Sequence, residues 1–296
     1  MTQGLKAELV LDARATLGEC IRWDERERLI YWVDIPGMKM HRYDPATGRD
    51  DSVELDQEMG CFALAQRGGF IAGMRSGYAR IPAFGGEVVR LTSPDFDSTK
   101  ARFNDGRCDP AGRFWAGTMW EPRDRAGGHI YCLEADGRFK AKANPVIISN
   151  GITFSPDGKM FTLADTPNHV LWAFDYDVDS GDVGNRRLLK QFDPTHGRPD
   201  GACVDAEGNI YIAIMAGGRV EKLSPKGELL AEIHLPVAAI TCCAFGGDDL
   251  RTLYINTART RMTDQELLEK PYAGGLFAVR IEGEHAPGIV EPRYAG

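Results

Sequence analysis

The sequence predicts an all-β fold: a six-bladed β-propeller of four-stranded blades, with one short helix in an insertion of the last blade. Two observations carry this. Runs rich in aromatic and β-branched residues begin at Tyr31, Phe70, Phe114, Phe161, Tyr211 and Tyr254, at intervals of 39, 44, 47, 50 and 43 residues; a period of this size marks a repeated supersecondary unit. Helical periodicity is almost absent, and Asp/Gly/Pro turns separate the runs, as in all-β chains.

The elements follow in order. KAELVLD (6–12) precedes the first full unit and is expected to complete the last blade, closing the ring. Closure matters because a row of six open sheets would expose strand edges, whereas a ring leaves only short, protected ones. The first unit carries YWVD (31–34) and ends its next strand at HRYDPATG (41–48). In the third, fourth and fifth units the turns DPAGR (109–113), SPDGK (155–159) and DAEGN (205–209) lead directly into FWAG, MFTLAD and IYIAI. Each turn supplies a glycine able to take positive φ. WAFDYDVDSG (172–181) and EKLSPKG (221–227) repeat the second turn of a unit. The sixth unit holds the insertion 258–274, where Thr263-Asp-Gln-Glu266 reads as a capping box opening a helix. No composition break divides the chain, so 1–296 reads as one propeller domain.

Composition narrows the function. With 43% apolar and 26% charged residues the chain has the make-up of a soluble globular protein. A formal charge of −8 argues against nucleic-acid binding, which needs a basic surface. Seven cysteines without C-x-x-C spacing make a poor disulfide or zinc framework and suit reduced, buried thiols, so a cytoplasmic location is expected. The adjacent Cys242 and Cys243 would face opposite sides of a strand, which disfavours a redox pair. The N-terminus lacks a signal-peptide pattern, and no run approaches a membrane span. The six histidines show no H-x-x-x-H clustering, and neither a P-loop nor a G-x-S-x-G elbow is present. Asp175-Tyr-Asp177-Val-Asp179 resembles the start of an EF-hand, yet position 6 is Ser180 and position 12 is Arg186, so it reads as an acidic turn.

The functional signal is one of phase. Counting back from the strand-like runs, Glu19 lies 12 residues before Tyr31, Asn104 lies 10 before Phe114, Asn150 lies 11 before Phe161, and Asp200 lies 11 before Tyr211. Taken singly, Asn104, Asn150 and Asp200 read as turn residues, because N-D-G, N-G and P-D-G favour turns. Shared phase in a closed ring would instead bring all four to the axis. Two carboxylates and two amides meeting there suit a hard divalent cation. At the same offset the second and sixth units offer Met59 and Cys243, poor ligands for such an ion.

Several longer motifs point to a family. LGECIRWD, YWVDIPGMKMHRYDPATG, RFNDGRCDPAGRFWAGTM, ISNGITFSPDGK, FDYDVDSGDVGNRR, RPDGACVDAEGNIYIA, GGRVEKLSP and CCAFGGDDLRTLYINTAR resemble the regucalcin/gluconolactonase family of six-bladed sugar-lactone hydrolases, from about residue 14 to 296. The resemblance implies a divalent cation (Ca, Zn, Mn, Mg or ferrous iron) held by Glu19, Asn150 and Asp200, with Arg102 and Asn104 approaching the substrate. Glu121 matches a substrate-contacting glutamate imperfectly, standing two residues after G-T-M where some members have three. The expected reaction is metal-assisted hydrolysis of a sugar lactone (a glucono-, galactono-, arabino- or xylonolactone) to its aldonic acid, with Asp200 as general base. The alternatives are a phosphotriesterase or other esterase on a similar propeller, and a non-enzymatic calcium-binding regulatory protein.

Overall fold

A computed structural model describes residues 5–296, apart from the side chain of Asn144. Its strands build six antiparallel four-stranded sheets. After β1 (Glu8–Leu11), blade I comprises β2 (Gly18–Asp24), β3 (Leu29–Asp34), β4 (Lys39–Asp44) and β5 (Arg49–Glu54). Blade II comprises β6 (Met59–Leu64), β7 (Phe70–Met74), β8 (Gly77–Ile81) and β9 (Val89–Arg90). Blade III runs through β10 (Ala101–Cys108), β11 (Phe114–Trp120), β12 (Gly128–Leu133) and β13 (Phe139–Val146). Blade IV follows with β14 (Ser149–Phe154), β15 (Met160–Asp165), β16 (Val170–Asp177) and β17 (Asp182–Gln191). Blade V holds β18 (Arg198–Val204), β19 (Ile210–Met215), β20 (Arg219–Leu223) and β21 (Leu229–His234). Blade VI holds β22 (Ile240–Gly246), β23 (Thr252–Thr257) and β24 (Leu276–Arg280), and β1 completes it by pairing antiparallel with β24. The expected closure of the ring by the N-terminal strand is therefore borne out.

The first strands β2, β6, β10, β14, β18 and β22 each contact the next around the ring, and β22 returns to β2. The aromatic residues that set the period all sit on the second strand of their blades and are buried. They fill apolar layers between neighbouring blades, such as Trp115, Phe154, Phe161 and Phe174 between blades III and IV. Side chains alternate faces along each strand, so each blade turns one residue set toward each of its two neighbours, and its first strand lies innermost.

The helix α1 (Asp264–Glu269) lies in the sixth-unit insertion with both halves of its capping box formed, as expected. All seven cysteines are free and buried. No helix of the described residues is long and apolar enough to cross a membrane.

Every first strand carries a β-bulge where it pairs with the second strand of its blade. The irregularities lie between Glu19 and Arg22, Met59 and Cys61, Phe103 and Asp105, Asn150 and Thr153, Pro199 and Ala202, and Ile240 and Cys242. A bulge adds an unpaired residue and re-aims the side chains beside it. Sequence phase alone placed Met59 and Cys243 beside the four polar residues; neither lines the cavity that those four share, and the residues inside the register shifts of blades II and VI are Gly60 and Thr241. Met59 and Cys243 pack in apolar layers between blades, and the Cys243 thiol donates to Tyr211 O at 3.3 Å. The offset misleads because the turn between first and second strands varies in length: Phe70 pairs with Leu64, whereas Tyr254 pairs with Ala244, so a fixed count back lands at different depths of the first strand. Gly60 has a packing reason: a β-carbon there would lie 1.9 Å from Phe103 O on β10.

Candidate active site

Glu19 (β2), Arg102 and Asn104 (β10), Asn150 (β14) and Asp200 (β18) all line one cavity of about 450 Å³, together with Glu121 just beyond β11. The six residues singled out from the sequence thus come together, although they span 182 positions of chain from Glu19 to Asp200. Leu17, Met119, Ile148 and Met215 supply apolar wall.

A chain of hydrogen bonds fixes the floor. Pro199 O can only accept, so Thr166 Oγ1, at 2.8 Å, must donate to it. The hydroxyl then accepts from Asn150 Nδ2 at 2.8 Å, which turns Asn150 Oδ1 to the other side. Asn104 Nδ2 donates to that oxygen at 3.1 Å and to Ser149 O at 2.9 Å. Asn104 Oδ1 in turn accepts from Arg102 at 3.0 Å. Both amides are therefore oriented by their partners, and Asn150 Oδ1 keeps a lone pair for a further partner.

The electrostatics of the floor are unfavourable without a cation. Burial pushes the Glu19 carboxyl well above the usual carboxylate range, Asp200 and Asp105 push it further, and Arg102 opposes them. Burial and Asp105 likewise raise Asp200 well above its ordinary value, with Arg198 opposing. Among the described residues neither carboxylate has a side-chain hydrogen-bond donor; the nearby donors are the backbone N–H groups of Cys20 and Gly201. Buried charge of this kind is tolerated when a cation neutralises it. The donors that face one another are two carboxylates and an oriented amide oxygen, an all-oxygen set that fits a hard divalent ion. No three His, Cys, Asp or Glu side chains form a metal-binding cluster among the described residues, so the side-chain donors here are two carboxylates and an amide rather than a carboxylate or histidine triad.

Glu121 lines the wall, but Arg75 grips it through two bonds of 3.0 and 2.8 Å. Arg75, ahead of burial, holds its carboxyl below the ordinary range. Arg75 also donates to Glu58 at 2.6 Å, and Arg102 Nε stands 4.0 Å from Glu58 and 3.9 Å from Glu121. This four-residue ion-pair network stiffens the wall beside Arg102. Sequence reasoning missed Glu58, Arg75 and Thr166. Glu58 is one residue from the phase position in blade II, whereas Thr166 and Arg75 carried no periodic signal.

The geometry accords with known relatives. Residues 17–259 match the family described as SMP-30/Gluconolactonase/LRE-like region. The chain belongs to that family. A 6-deoxy-6-sulfogluconolactonase of Pseudomonas putida is 45% identical across the full length of both chains, and Homo sapiens regucalcin is 37% identical over 99% of each. A calcium-binding protein, regucalcin, from Agrobacterium tumefaciens superposes with a TM-score of 0.92 at 26% identity, covering 99% of this chain and 97% of its own. The kinship expected from the motifs is borne out, and SMP-30/gluconolactonase relatives named as lactonases agree with the expected enzyme class.

Proposed function

We propose that the protein hydrolyses a sugar lactone to the aldonic acid with the help of one divalent cation held by Glu19, Asn150 and Asp200. The observation that carries this reading is the pair of buried, mutually repelling carboxylates from blades I and V, facing an amide oxygen from blade IV in one cavity. A cation bound there supplies positive charge to polarise the lactone carbonyl and to acidify nearby water. Asp200 takes a proton from water as the water oxygen bonds to the carbonyl carbon. The bond from that carbon to the ring oxygen then breaks, and Asp200 returns the proton to the departing oxygen. Arg102 and Asn104 orient sugar hydroxyls, and the Arg102 charge opposes the negative charge that develops on the carbonyl oxygen. Glu121, tied to Arg75, positions Arg102 rather than meeting the sugar directly.

The test is hydrolysis of five- and six-membered aldonolactones by chelator-stripped and metal-restored protein. Restoration of turnover by calcium, zinc, manganese, magnesium or ferrous ion is expected. Full activity of the stripped protein overturns the metal dependence, and absence of lactone turnover overturns the reaction. The names of the regucalcin relatives favour a second reading, calcium binding in a non-enzymatic role; tight calcium binding without turnover of any lactone would support it. Faster hydrolysis of organophosphates than of lactones would favour an esterase instead.

A further inference from the structure

Four arginines line the cavity, and only one of them is engaged. Arg102 donates to Phe103 O and Asn104 Oδ1. Arg123, Arg198 and Arg261 line the same cavity, and among the described residues none of their guanidinium groups has an ion-pair or hydrogen-bond partner. They come from three places: Arg123 just after β11, Arg198 at the start of β18, and Arg261 in the loop after β23. Arg123 and Arg261 are exposed and Arg198 is half-buried, whereas Glu19, Asn150 and Asp200 are buried. The unpaired cations therefore stand at the rim, above a floor built for the lactone.

Two further features mark these residues. Arg123 and Arg261 have φ of 59° and 62°, in the left-handed region that residues with a side chain seldom adopt. Each is held by a tight turn, with Arg123 N donating to Trp120 O and Met262 N to Arg259 O, both at 3.1 Å. Burial, then Arg261 and Arg198, works against the Arg123 charge, with Glu121 opposing them. Guanidinium groups with free donors at the mouth of a cleft draw anions there, and their forks match tetrahedral oxyanions.

Resting on the lactonase reading, we propose that Arg123, Arg198 and Arg261 form a subsite for a permanently anionic group, a sulfonate or phosphate, carried on the sugar at the end away from the lactone carbonyl. The cavity's volume of about 450 Å³ falls in the range of small-molecule sites and accommodates a hexose bearing such a substituent. Discrimination follows from the loss of charged partners: a neutral lactone leaves the three guanidinium groups unmatched.

The test compares gluconolactones carrying sulfonate, phosphate or a plain hydroxyl at C6, in wild type and in the Arg123→Gln/Arg261→Gln double variant. Wild type is expected to show at least about 10-fold higher kcat/KM for one or both anionic lactones, a preference carried mainly by KM and weakened by added salt. Which anion is favoured identifies its source. In the double variant the ratio of anionic to neutral kcat/KM should collapse toward one. Equal use of neutral and anionic lactones by wild type, or an unchanged ratio in the variant, overturns the subsite while leaving lactone hydrolysis standing. If no lactone is turned over, the lactonase reading falls, and calorimetry with the sulfonated, phosphorylated and plain aldonates decides the subsite alone. Binding of an anionic aldonate at least 10-fold tighter than gluconate upholds it, and equal binding overturns it.

Discussion

Asn104 Nδ2 lies 3.1 Å from Asn150 Oδ1, so an amide of blade III donates to an amide of blade IV across the cavity floor. The contact joins the proposed substrate-orienting residue to a proposed cation ligand. Its far anchor is the Thr166 hydroxyl, caught between Asn150 Nδ2 and Pro199 O.

Replacing Thr166 by Val keeps the side chain's shape and removes that anchor, freeing the Asn150 amide to turn. Outer residues that orient metal ligands are typically worth 10–100-fold in affinity. A loss of that size in cation binding, measured by calorimetry, is expected with the fold intact by circular dichroism. Unchanged affinity would show that the orientation of Asn150 does not matter to the ion.

Replacing Asp200 by Asn keeps an oxygen donor while removing the base. Turnover of the best lactone should fall by about 10²–10⁴-fold, the usual contribution of a positioned base. Rates near wild type at saturating metal would remove Asp200 from that role.

Glu19 and Asp200 also predict a pH dependence. Both are raised in the folded state above unfolded values of about 4. Between the two values the folded protein binds more protons than the unfolded chain, so the pair's contribution to stability falls as pH rises above about 4. Asp200→Asn relieves this in metal-free protein. Its Tm in chelator should therefore exceed that of wild type by a margin that widens from pH 4 to 8 and shrinks when metal is added. A margin independent of pH would contradict the electrostatic account.

On the other side of the ring, the C-terminal segment crosses the channel. Tyr294 bridges Ala65 in parallel, Gly288 bridges Asp205, and Glu291 reaches Arg107 at 3.2 Å and Arg22 at 3.8 Å. Both guanidinium groups are buried. Removing one partner of a buried ion pair costs about 3–5 kcal/mol. Glu291→Ala should lower unfolding free energy by that order in urea titration. A change below about 1 kcal/mol would mean that water satisfies both arginines.

Much of this was legible in the chain. Turns such as Ser-Pro-Asp-Gly and the buried aromatic at the second strand recur because each blade must bury the same two faces against its neighbours, so the period, the blade count and the closing strand could be counted. Glu19, Asn104, Asn150 and Asp200 were legible because a ring converts equal phase into common position. The misplacement of Met59 and Cys243 was not foreseeable, since the length of the turn joining first and second strands differs between blades without a fixed sequence mark. In blade IV the bulge falls on Gly151 at φ 58°, whereas in blade I it falls on Cys20 at φ 55°.

The sequence by itself determined the repeat, the strand chemistry and the identity of the polar residues that converge. Only the tertiary structure decided how those residues are served: Thr166 turning Asn150, Arg75 occupying Glu121, and three arginines at the rim without side-chain partners among the described residues. The physical reason is that periodicity records contacts repeated in every blade, while each of these arises once, between side chains brought together only when the ring closes.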